Sequence, residues 1–181
     1  MIQRYHRRNG SRGATLLELL VYLGLVGFIL LAATMFAFEF VAANAKIAAI
    51  DEVTRNGRFG LARMALETRV AASIDTVSSV FGSHPGTLAL DMDDAGIDPT
   101  VFTVSSGTLY VQQGAGAQLP LTSSKVEVTD FVVENVSTGN KTKAVRLNLT
   151  LRYRSGGLQD LVAESTFEVT ARVRKGDGFL N

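Results

Sequence analysis

Two features of the sequence predict an α+β protein in which a long N-terminal helix packs against a C-terminal antiparallel β-sheet. The first is a stretch without proline as far as His84, which includes twenty consecutive uncharged residues from Leu19 to Phe38. The second is a change of hydrophobic period after about Ser73, where spacings of three and four give way to alternation. The expected organisation is a basic segment at 1–13, a membrane-length helix at 14–38, its amphipathic continuation at 39–75 and a β-rich globular domain at 76–181.

At helical rise the apolar run spans roughly 30 Å, the thickness of a bilayer's hydrocarbon core. Arg4, Arg7, Arg8 and Arg12 precede it without a single acid, so the N-terminus is expected on the cytoplasmic side and the chain after Phe38 outside. Beyond Glu39 the helix formers Ala42, Ala43, Ala45, Lys46, Ala48 and Ala49 carry the helix onward. Ile47, Ile50, Thr54, Gly57, Leu61, Met64 and Thr68 make a stripe suited to face a sheet, whereas Asp51, Glu52, Arg55, Arg58, Arg63, Glu67 and Arg69 lie mostly elsewhere. From Ala14 to about Ser73 such a helix is roughly 90 Å long.

Ser78, Ser79, Gly82, Ser83, Pro85 and Gly86 predict a connecting loop. Thr87–Leu90, Val101–Val104 and Thr108–Gln112 follow as short strands, the last two joined by a Ser106-Gly107 turn. Residues 126–136, 144–153 and 161–173 read as three long antiparallel strands, with Phe167, Val169, Ala171 and Val173 on one face and turns at Gly139-Asn140 and Ser155-Gly156-Gly157. These three are expected to cover one side of the helix, whose stripe closes the core.

Composition narrows the function. Cysteine is absent, which excludes disulfide staples, thiol catalysis and cysteine-bound metal. The histidines are His6, in the basic segment, and His84, beside Pro85 in an expected turn: too few for a multi-histidine zinc site and not placed to serve a catalytic triad. Without the four N-terminal arginines, 14 basic residues face 17 acidic ones, a net charge of −3 that argues against nucleic acid as a partner.

A secretory signal places its small-residue cleavage site after the apolar stretch, but here Gly13 precedes it. Cleavage after Gly13 would leave the whole helix on the mature chain, beginning with the amine of Ala14. Gly13-Ala14-Thr15-Leu16-Leu17-Glu18 resembles the leader junction of type IV prepilins and type II secretion pseudopilins. The resemblance implies that a prepilin peptidase cuts after Gly13 and N-methylates Ala14, and that Glu18, fifth in the mature chain, pairs with the Ala14 amine of a neighbouring subunit. Alanine replaces the family's usual phenylalanine at the first mature position. The kinking proline of many pilins is also missing, with Gly24 and Gly27 as soft substitutes. Asn56-Gly57-Arg58-Phe59 and Leu66-Glu67-Thr68-Arg69-Val70-Ala71 are similar to the same region of larger minor pilins and J-type pseudopilins, a less specific likeness.

An ionisable group inside a membrane span costs about 2.5–3.5 kcal/mol at the centre and less near an end, so Glu18 needs a partner. Snorkelling to the headgroups is the bland alternative. Asp91, Asp93, Asp94 and Asp98 surround Gly96 with the hard oxygens calcium takes, yet an EF-hand loop would need ligands where Ala95 and Phe102 stand. A solvated acidic turn fits that pattern better, and no cofactor is expected. The triplets at Asn135, Asn140 and Asn148 match glycosylation acceptors of a kind that arises by chance in a Ser/Thr-rich domain, and the glycine-bearing loop Gln113–Gln118 lacks the strand-to-helix setting of a phosphate cradle.

The expected function is therefore structural and not enzymatic: a minor pilin or J-like pseudopilin, inserted in the inner membrane, processed, then assembled with other subunits into a filament at the cell surface. The alternative is a single-pass, signal-anchored outer binding module or hydrolase that does not assemble.

Overall fold

The computed structural model describes residues 15–138, 143–156 and 162–174. Leu16–Val70 form one helix, α1. The chain divides into two compact units, Met1–Ala43 and Asn44–Asn181. In the first, every described residue is exposed, including the apolar window of α1, whose mean hydropathy of 2.5 and length suffice to cross a membrane. Thr34 returns its hydroxyl to the Leu30 carbonyl at 2.7 Å, which satisfies a polar group within that window without any outside partner.

The second unit holds the core. Residues 44–70 of α1 carry it on one side, and eight strands among the described residues supply the rest. β1 (Ser73–Val80), β2 (Thr87–Asp91), β3 (Thr100–Ser105), β4 (Thr108–Gln113) and β5 (Leu119–Pro120) form an antiparallel meander in sequence order. β6 (Val126–Asn135), β7 (Ala144–Tyr153) and β8 (Glu164–Arg172) form a second sheet, also a meander. The three long strands expected from alternation are this second sheet, and in β8 Phe167, Val169, Ala171 and Val173 just beyond it turn inward while Glu164, Thr166, Glu168 and Thr170 are exposed. Leu161 and the turn at Gly139-Asn140 lie outside the described residues.

Fully buried Val53 and Met64 of α1 meet Leu88, Leu90, Phe102 and Leu109 of the first sheet and Phe131, Leu147, Leu149 and Leu151 of the second in one core. Each such side chain contributes about 1.5–3 kcal/mol by leaving water. The two sheets are also stitched together by main-chain bonds onto β6. Gly82 and Gly86 donate their N–H groups to the carbonyls of Val133 and Phe131, and Val128 donates to Gly107. Ser106 and Gly107 both have positive φ, 49° and 70°, the left-handed pair that a tight two-residue hairpin requires.

Three expectations change. The helix stops at Val70, not near residue 75, because Ala72 gives its N–H to the Asp91 carbonyl at 2.9 Å and Ser73 enters the ladder opposite Asp91. The helix-forming alanines 71 and 72 are overridden by strand pairing. The loop expected at Ser78 and Ser79 is the end of β1. That strand is bulged between Asp75 and Val80: Asp75 Oδ1 accepts from the N–H groups of Val77 and Ser78, and Ser79 Oγ accepts from Ala89 N–H at 3.0 Å. Side-chain oxygens stand in for the missing ladder bonds. Finally, the buried stripe of α1 is rotated from the expected one. Gly57, Leu61, Met64 and Thr68 are buried as expected, but Ala49, Val53, Asn56, Gly60 and Ala65 complete the stripe, together with Glu67, which was expected to lie away from it. Ile47 is 63% exposed and Ile50 49%.

Close packing sets that rotation. A Cβ on Gly57 would come within 2.3 Å of the Phe167 ring, and one on Gly60 within 3.1 Å of Leu109 Cδ2 and 3.6 Å of Leu149 Cδ2. Helix backbone thus approaches both sheets at two glycines one turn apart.

Candidate functional site

At the start of α1, Thr15 sits at the cap. Its Oγ1 accepts from the Glu18 backbone N–H at 3.3 Å and its carbonyl accepts from Leu19 N–H at 3.1 Å. Thr15-Leu16-Leu17-Glu18 is the sequence of a capping box, so Glu18 occupies the third helical position. A carboxylate there meets the positive end of the helix dipole, worth about 0.3–1 kcal/mol. Tyr22, one turn on, donates its hydroxyl to Glu18 Oε1 at 3.5 Å. Neither Thr15 nor Tyr22 was singled out from sequence as a partner of Glu18, although the Thr-x-x-Glu spacing carried the signal for the first. Gly13 and Ala14, the expected processing and methylation positions, lie outside the described residues.

The acidic turn uses its carboxylates on its own backbone. Asp98 Oδ1 accepts from Met92 N–H and Asp94 Oδ1 from Gly96 N–H, both at 2.8 Å, while Asp91 accepts from the Ser73 hydroxyl. These bonds shape the connection between β2 and β3. Among the described residues no three His, Asp or Glu side chains come together as a cation site.

A polar clasp was not expected. Glu52 and Asn56, one helical turn apart on α1, hold Ser123 in the segment before β6. Ser123 Oγ donates to Glu52 Oε1 at 2.7 Å, Asn56 Nδ2 donates to the same oxygen at 3.0 Å, and Ser123 N–H donates to Asn56 Oδ1 at 2.8 Å. Arg55 reaches the other carboxylate oxygen at 2.8 Å. The Ser123 hydroxyl above all, then the Asn56 amide, with Arg55 and Lys125 assisting, hold the Glu52 carboxyl below the usual carboxylate range against the opposing effect of burial. Long-range pairing of this kind leaves no trace in local sequence patterns. His84 is likewise structural: its Nδ1 accepts from Phe131 N–H at 2.9 Å, with Asp130 Oδ1 at 3.5 Å.

No family model, curated protein or solved structure matches this chain. The chemistry of each site therefore rests on its own residues. Glu18 is an acid in the first turn of an exposed apolar helix, with the Tyr22 hydroxyl as a donor to its carboxylate and no cation within 4 Å among the described residues. The clasp, the acidic turn and His84 fix loops to elements.

Proposed function

We propose that the chain is a prepilin-like structural subunit, a minor pilin or J-like pseudopilin, that prepilin peptidase matures after Gly13 and that assembles through its N-terminal helix into a type IV pilus or type II secretion pseudopilus. The observation supporting this is the position of Glu18: the lone acid near the start of an apolar helix long enough to cross a membrane, set in the first turn by Thr15. The neutral Tyr22 hydroxyl eases the cost of an intramembrane charge without neutralising it. The positive amine of a neighbour's Ala14 does neutralise it. Two charges that are each costly alone offset that cost by pairing, so the pair selects the partner and fixes axial register. The outer unit then stands at the filament surface or tip, and no substrate is turned over. A simple tether needs neither the glycine nor the acid at this spacing.

The mass and N-terminal sequence of the membrane-extracted protein test the reading. Loss of residues 1–13 and a methylated Ala14 are expected. A native protein that keeps its arginine-rich segment overturns it.

A further inference from the structure

Between residues 55 and 70 the face of α1 opposite its buried stripe is bare. Phe59, Leu66 and Val70 are 56%, 52% and 52% exposed, and at spacings of seven and four they follow one line along the helix. Beside them Arg55, Arg58, Ala62 and Arg69 follow a second line, all exposed. The helix acids nearby are occupied: Glu52 binds Arg55, and buried Glu67 binds Arg63 at 2.6 Å. Arg58 and Arg69 make no ion pair among the described residues. Toward the C-terminal end Leu66, Arg69, Val70 and Arg174 line an open cleft of about 590 Å³. The face is thus apolar along one edge, cationic along the other and hollowed at one end.

We infer that this face docks an amphipathic helix of a different polypeptide, one whose apolar stripe is flanked by carboxylates. Helices pack by interlocking side-chain ridges, and Ala62 between the larger residues leaves room for a facing ridge. Charge complementarity names the flanks. A second copy of this helix would bring arginines against arginines, which disfavours self-pairing. A bilayer surface would also take an apolar and cationic face, but small Ala62 and the shallow cleft lined by Leu66, Arg69, Val70 and Arg174 give this face a relief that suits a facing ridge of side chains. The inference goes beyond the assembly reading and stands on the second unit alone.

The test uses the full chain in neutral detergent and two stapled helical peptides with identical leucine stripes, one flanked by glutamates and its twin by lysines. The glutamate peptide is expected to bind saturably and the lysine twin not. Leu66→Ser should weaken that binding by about tenfold or more. Arg58→Glu with Arg69→Glu should reverse the preference to the lysine twin, a swap that damage to the fold cannot produce. Thermal melting of each variant should match the parent, since all three positions are exposed. Equal binding of the two peptides, binding of neither, or an unchanged preference in the double variant overturns the inference. So does either competing occupant: binding to anionic phospholipid vesicles, or self-association of the chain, that the same substitutions abolish while peptide binding is absent.

Discussion

Glu18 and Gly57 are each constrained by their surroundings, for opposite reasons. Glu18 carries a charge where apolar neighbours provide none to meet it, so its role is tested by removing the charge alone. Glu18→Gln keeps an acceptor for the Tyr22 hydroxyl and the cap made by Thr15. It should leave membrane insertion and processing unchanged while reducing recovery in sheared filaments to background, measured by immunoblot. Unaltered incorporation would refute the charge pair. Gly57 is constrained by space. Alanine would improve helix propensity by about 1 kcal/mol, yet its methyl would overlap the Phe167 ring. We expect Gly57→Ala to destabilise by about 1–3 kcal/mol in denaturant titration. Gly60→Ala should cost less than Gly57→Ala, because its Cβ would meet a terminal methyl of Leu109 at 3.1 Å, a crowding of only a few tenths of an ångström.

Among elements, the attachment of the segment before β6 to α1 depends on an ionised carboxylate. Glu52 has its pKa lowered in the fold, so the clasp contributes fully above the unfolded value, about 4.3, and its contribution is lost as pH falls through the lower folded value. Melting temperature should therefore drop on acidification below about pH 4.3. Glu52→Gln, which keeps an acceptor oxygen for Ser123 and Asn56, should flatten that drop. It should not abolish it, because Asp75 is shifted the same way by the Ser78 hydroxyl and by the N–H groups of Ser78 and Val77. A parent and variant with identical acid slopes would show that the clasp is not sensed by folding. The β2–β3 connection makes the converse prediction. Its carboxylates already accept bonds from Met92, Gly96 and Ser73, so millimolar calcium should leave the melting temperature unmoved, whereas a rise would reveal a bound native-state ligand.

For the whole molecule, local patterning carried the sequence reading far. Three strands of the first sheet, β2, β3 and β4, and β6 and β7 of the second were foreseen within a residue or two, β8 with its start three residues early, and the helix was foreseen over nearly its full length. β1 was missed because its bulge breaks alternation and its bonds are made by serine and aspartate side chains, which read locally as loop. The two-residue β5 was missed because its two residues make no pattern. The site was legible in part: Glu18 and Gly13 stand out by spacing, whereas Tyr22 looked like one more apolar residue, and the Glu52–Asn56–Ser123 clasp joins residues far apart in sequence. Periodicity reports only what a residue's near neighbours share. By itself the sequence determined a membrane-length helix with one acid near its start, and a domain of alternating strands after it. The tertiary structure decided where that helix stops, how it is rotated and how the strands divide into two sheets, because those depend on contacts such as Gly57 with Phe167 and Ala72 with Asp91 that exist only once distant segments compete for the same backbone donors and the same volume.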